Sequence, residues 1–324
     1  MTSRDEFPGP AGDAMAGRIA TAEASLLQFS GAHPALRCLL LTDPALRDPQ
    51  AAWAAIHPAI AHRRRPIDVH ESLFPAQHRP CLYALDLGAA ADRALLHASL
   101  HMVFEDWQPE QALQGLGHRV CGWLWIAADL ADALVAAHFG TQVVQYDQAR
   151  DRRILLRYFD PRVLDLIWSA FSPAQRISAL GPVHAWHFVD RGQTLGCLTN
   201  PGDPALHPVE RLVLTTTDWD RVRRIGLINQ TLARWQGVHC QPVPALLPAA
   251  VDEALRQSAL YGLGDDLDRI EFAWLAITRH VRFAEHPAVQ PIWAAVRDGE
   301  NFIAALAALG PAQWQRIVTS PTAA

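Results

Sequence analysis

ILLRYFDPRVL, residues 154–164, decides how this chain is read. Ile154, Leu156 and Tyr158 fall on one side of an extended segment and Leu155, Arg157 and Phe159 on the other, which predicts a largely apolar, centrally placed strand. A helix must then begin abruptly. Asp160 can cap its free N–H groups, and Pro161 suits the first helical position because it has no N–H to leave unpaired. Val163, Leu164, Ile167, Trp168 and Phe171 supply the apolar face. Ser172 and Pro173 open a second short helix that Gly181 and Pro182 end, and the alternation of Val183, Ala185, His187 and Val189 predicts a further strand. These are folding signals, and none of them is catalytic.

The chain has 324 residues, half of them hydrophobic, with a net charge of −5. That length supports one large or two ordinary domains with a real core, and the charge argues against nucleic acid as a partner. All 28 basic residues are Arg. With no Lys, there is no P-loop lysine, no Schiff-base lysine and no kinase strand lysine. Cys38, Cys81, Cys121, Cys197 and Cys240 are odd in number and widely spaced. The first three sit in or beside apolar runs, where a free Cys acts as a small hydrophobe, and this fits a reducing compartment. The first residues lack an apolar signal core, and no run approaches the roughly 18 apolar residues of a membrane span, so a cytoplasmic location is expected.

Around the opening stretch, strands and helices alternate. Residues 1–17 read as a disordered Pro/Gly tail. Residues 36–41 predict a strand and 49–60 a helix with Trp53 and Ile56 inward. The Arg run in 62–66 reads either as a solvated loop or as a surface for an acidic partner. Residues 81–87 predict a strand, 92–107 a helix burying Leu96, Leu100, Val103 and Trp107, and 119–127 a third strand. A helix to His138 follows, closed by Gly140. A strand pair, 141–146 with 153–159, turns at 147–151. The linker candidate is residues 200–204, followed by a last strand at 212–216 and a helix at 218–235. Beyond 242–248 only helices are expected, the clearest at 266–283 with Leu267, Ile270, Trp274, Ile277 and Val281 inward. The expected fold is an α/β lobe, with α+β as the variant, over residues 18–199. Its mixed sheet is flanked by helices, and a mainly helical lobe, all-helical beyond 242–248, occupies residues 200–324.

No G-x-S-x-G, G-x-G-x-x-G, C-x-x-C or H-E-x-x-H pattern is present. His97, His101 and Glu105 share one stripe of a predicted helix and could hold Zn²⁺, which is the basis of a rival reading as a metal-dependent hydrolase. His184 and His187 point to opposite faces and are poor co-ligands. Asp86 or Asp160 could serve as a general base, but capping explains Asp160 more simply. Arg157, Asp160 and Arg162 form either an internal ion-pair brace or a partner-facing patch.

LLRYFDPRVL followed by SPAQRISALGPVHAWHF resembles the core of the type VI secretion effector-adaptor family. Arg157, Tyr158, Asp160, Pro161, Arg162, Gly181, Pro182 and Trp186 carry the motif. Residues 39–48 look like that family's opening strand and turn, Ser72-Leu73-Phe74 like its short segment, 80–87 like its next strand, and 119–138 like the strand and helix after it. Two positions depart: Ala127-Ala128 stands where the family usually has a Ser, and His138-Phe139-Gly140 where it has His-Leu-Arg. The resemblance implies a bacterial, cytoplasmic adaptor or chaperone without catalysis, metal or cofactor. Such a protein would bind a cognate toxic effector and load it onto the VgrG spike, holding its partner as a helix in a groove or as a strand on a sheet edge.

Overall fold

The eight strands are β1 (Leu36–Thr42), β2 (Arg64–Pro66), β3 (Cys81–Leu85), β4 (Val120–Ala127), β5 (Val144–Asp147), β6 (Arg152–Leu155), β7 (Val183–Val189) and β8 (Leu195–Thr199). They belong to a computed structural model that describes residues 10–45, 47–69, 75, 78–115, 117–204 and 210–319. Ser72-Leu73-Phe74 lies outside the described residues. The chain divides into two compact units, Met1–Trp219 and Asp220–Ala324.

In the first unit six strands form one sheet in the order β2-β3-β1-β4-β7-β8, and every pairing in it is antiparallel. The expected mixed sheet is therefore an antiparallel one, and the fold is the α+β variant. The reason the strands read as doubly covered is visible in the packing. Cys38, Leu40, Tyr83, Trp123 and Trp125 face a core shared with α1 (Pro10–Ala32), α2 (Gln50–Ile56) and α3 (Ala90–Asp106). Leu39, Leu41, Leu124 and Trp186 are equally buried, as alternation requires if the opposite face is also covered. There α5 (Asp132–Val143) meets β2 and β3, and α7 (Pro173–Leu180) meets β7. The short α4 (Pro109–Leu113) and α6 (Pro161–Ile167) complete the helices before α8 (Thr216–His239).

Several local expectations change. Residues 10–17 of the supposed tail are helical within α1. Ile56 is exposed, and Ile60 on the following 3₁₀ turn takes the inward place beside Trp53. The Arg run is not a loop, because Arg64–Pro66 forms the edge strand β2. The opening stretch is not a central strand either. β6 stops at Leu155 and pairs only with β5, and residues 156–160 leave it as irregular chain, buried except at Arg157. Residues 212–215 carry no strand, and β8 was not anticipated.

The second unit holds α9 (Leu247–Leu260), α10 (Asp266–Thr278), α11 (Gln290–Arg297), α12 (Phe302–Leu306) and α13 (Pro311–Thr319). Its core is aromatic: Phe272 lies against Phe283, Trp293 and Phe302, with the Trp293 and Phe302 rings stacked at 5.2 Å. The buried Asp268 carboxylate accepts from the backbone N–H of Phe302 at 3.0 Å and Ile303 at 3.1 Å, so α10 caps α12. The inward face of α10 is Ile270, Phe272, Ala273, Leu275 and Ala276; of the expected stripe Ile270 is buried, Trp274 and Ile277 are half-buried, and Leu267 and Val281 are exposed. The expected stripe was therefore rotated. In equilibrium urea unfolding, Phe272→Ala is expected to cost about 3–5 kcal/mol and Leu267→Ala within about 0.5 kcal/mol. The reverse ranking would restore the stripe read from spacing.

Candidate functional site

The motif stretch works as a junction. After β6, Leu156, Tyr158 and Phe159 are buried, and the Asp160 carboxylate accepts from the Arg162 backbone N–H at 2.9 Å to cap α6 at Pro161. The Tyr158 hydroxyl donates to the Ala179 carbonyl at 3.3 Å, and its ring packs with Phe139 and Trp186. Ser172 opens α7 through a reciprocal capping box with Gln175. Of the predicted α6 face, Leu164, Ile167 and Phe171 are buried, while Val163 and Trp168 are only half-buried.

Two glycines let these aromatic and imidazole rings close on the backbone. Gly181, at φ +52°, ends α7 with the His138 ring against it, and a Cβ there would lie 2.2 Å from that ring. Gly122, at φ +138°, sits under Trp186, whose indole N–H donates to the Cys121 carbonyl at 3.2 Å. Pro182, between Gly181 and β7, is half-buried. Gly140, at the position departing from the family pattern, has the Asp68 carbonyl 2.2 Å from where a Cβ would stand, so no side chain fits without a backbone shift.

Charged groups run through this junction. Arg162 pairs with Asp160 at 2.8 Å, and Arg157 reaches back to pair with Asp43 at the end of β1. Arg191 donates to the Arg162 carbonyl at 3.0 Å and pairs with Asp165 at 3.4 Å. Buried Asp106 is held by Arg47 at 2.7 Å and Arg119 at 2.9 Å. Burial alone would raise the Asp160 carboxyl, but the charge and hydrogen bonds of Arg162, with His118 and Arg157 nearby, hold it well below the usual carboxylate range. Burial raises Asp43, only partly opposed by Arg157. Of the two readings of Arg157, Asp160 and Arg162, the geometry realises the brace, with Asp43 as an unanticipated member. Asp43 was visible only as a turn residue, and nothing in local spacing links it to Arg157.

Three histidines are buried as neutral rings. Burial pushes His118, His138 and His187 down to about 4. His118 lies against Trp107 at 4.3 Å between centroids, His138 bonds the Ala179 carbonyl at 3.1 Å, and His187 Nδ1 accepts from the Trp125 indole at 2.9 Å.

The metal stripe is not assembled. His97 and His101 approach at 3.1 Å and His97 meets Glu23 at 2.8 Å, but Glu105 is bound to Arg119 at 2.9 Å. Among the described residues no group of three or more His, Cys, Asp or Glu is placed to hold a metal. Cys38, Cys81 and Cys121 are buried and free, as expected. Asp86 spends its carboxylate on the Gly88 backbone N–H at 2.9 Å. Among the described residues, no helix is long and apolar enough to cross a membrane.

The stretch that holds this junction is also the one that matches known sequence. Residues 40–178 match the family model of a domain of unknown function, DUF4123. The DUF4123 match runs from within β1 to within α7 and covers less than half of the chain. It includes Asp43, Arg157, Asp160 and Arg162 but ends before Gly181 and Trp186. The family is associated in general with type VI secretion adaptors. No curated protein matches the chain, and no solved structure does.

Two outcomes test this junction. Loss of a helix cap alone would cost about 1 kcal/mol, but Asp160→Ala also strands Arg162, so urea unfolding should show about 3 kcal/mol. A loss of about 1 kcal/mol or less would make the ion pair ornamental. The histidines bind protons more weakly folded than unfolded. Their contribution is therefore complete above about pH 6.5 and is lost as pH falls toward about 4. Asp43 and Asp190, raised by burial, bind protons more tightly folded than unfolded and so oppose this loss. His118→Phe should flatten the stability slope between those pH values, whereas an unchanged slope would assign the acid sensitivity elsewhere.

Proposed function

We propose that this protein is a non-catalytic adaptor or chaperone of a bacterial type VI secretion system. In this reading it binds a cognate toxic effector in the cytoplasm and loads it onto the VgrG spike. The observation that carries the reading is the DUF4123 match over residues 40–178, laid on the junction just described. The chemistry of that junction supports it. Asp160, Asp43, Asp106 and Glu105 are each engaged by arginines, and the three buried histidines are neutral, so the stretch builds architecture rather than a reaction centre. No metal or cofactor enters the reading. It differs from the rival hydrolase in a simple way: a hydrolase needs His97, His101 and Glu105 convergent, and an adaptor needs only a stable frame with a surface.

Co-expression with the spike and effector encoded by neighbouring genes should give a complex that survives size exclusion, and the effector should be less soluble without this chain. An effector that stays soluble and is secreted in a strain lacking the chain would overturn the proposal. Zinc bound in stoichiometric amount to untagged protein, and lost in His101→Ala, would restore the hydrolase.

A further inference from the structure

The two edges of the six-stranded sheet are built differently. β2 is three residues long and consists of Arg64, Arg65 and Pro66, and charge and proline both blunt an edge against further pairing. β8, at the other end, reads Leu-Gly-Cys-Leu-Thr and carries no charge and no proline. Its outward groups can be identified. The Asp190 N–H donates to the Thr194 carbonyl and the Asn200 N–H to the His184 carbonyl, in the same register as Val189↔Leu195 and Ala185↔Thr199. Even-numbered residues of β8 therefore bond to β7, and the N–H and C=O groups of Leu195, Cys197 and Thr199 face away from it. Among the described residues none of these six groups has a hydrogen-bond partner, and Cys197 is exposed.

Beside this edge lies a cleft of about 580 Å³ between α1 and the β7–β8 turn, lined by Arg18, Thr21, Ser25, Gln193 and Leu195 among others. A residue paired opposite Leu195 would put its side chain on the same face as Leu195. That is the α1 face, because Leu195 packs against the core cluster that contains Ile19 and Ala22. Arg18 donates there to two neutral acceptors, Gln193 Oε1 at 2.7 Å and the Ala14 carbonyl at 3.3 Å. Among the residues whose side chains are described, no carboxylate pairs with it.

We propose that the free edge of β8 takes up an extended segment of a partner protein as a seventh, antiparallel strand, with a carboxylate of that segment paired to Arg18. The inference rests on the adaptor reading for the partner being a protein, and deepens it by naming the edge and the charge that would recognise the segment.

The probe is a labelled synthetic peptide, Thr-Val-Thr-Val-Glu-Val, whose antiparallel pairing sets its Glu opposite Leu195. Fluorescence anisotropy should show saturable binding, and hydrogen exchange should slow at the amides of Leu195, Cys197 and Thr199 of the unmodified protein. Replacing the peptide Glu by Gln should weaken binding about two- to fivefold, the worth of one partly exposed ion pair, and Arg18→Gln should remove that preference. Cys197→Pro should abolish binding while leaving the melting transition in place, since the N–H it removes faces away from β7. No saturable binding, binding unaffected by Cys197→Pro, or a concentration-dependent dimer that itself protects β8 would each overturn the proposal, the last by making a second copy the occupant. The adaptor reading fails separately. A spike or effector complex that still forms with Cys197→Pro sinks the edge and leaves the adaptor, whereas peptide binding without any such complex does the reverse.

Discussion

A carboxylate taken almost wholly out of water must be met by positive charge, and in this fold two such carboxylates are met by arginines from one short stretch. Asp160 is met by Arg162 two residues on, and Asp43 by Arg157, 114 positions along the chain. The second pair ties the end of β1 to the start of α6. Burial costs each ion several kcal/mol, which the paired charge recovers only if geometry is held, so the arginines and acids have to arrive together or not at all. Everything around the junction serves that arrival: the cap on α6, the Tyr158 and Trp186 rings packed with Phe139, and glycines where a Cβ would strike a ring.

How much of this is legible in the sequence depends on whether a signal is local. The α6 and α7 starts were legible because a cap and a proline lie within three residues of each other. α3 was legible because Leu96, Leu100, Val103 and Trp107 keep one stripe, and all four are buried. The rotation of α10 was not, since its sequence is apolar on more than one side and spacing alone admits two stripes; the aromatic cluster of Phe283, Trp293 and Phe302 selects the one containing Phe272. β8 was missed because its residues are only partly buried and include a glycine, leaving no alternation to count.

The candidate site divides along the same line. The motif residues were legible as a capped junction, but their partners were not. Asp43, Asp106, His118 and Arg191 come from four separate elements, and only the fold brings them within reach of one another. The sheet misled for a related reason. Strands covered on both faces read as continuous apolar runs, which is the habit of parallel sheets, yet this sheet is antiparallel and gains its second cover from α5 and α7.

The alternatives of brace and partner-facing patch for Arg157 and Arg162 do not compete once their two ends are considered separately. The acids are sealed, with side chains 2% and 4% exposed, while the arginine side chains are 29% and 22% exposed. An arginine presents five N–H donors in a fixed fork, so a guanidinium can satisfy a buried carboxylate with one edge and still show another edge to solvent. A partner that drew either arginine away would leave a buried charge unmet, which costs more than a surface ion pair returns. Any contact made at this place must therefore add to the brace without replacing it, and the arginines stay where the fold has put them whether or not a partner is bound.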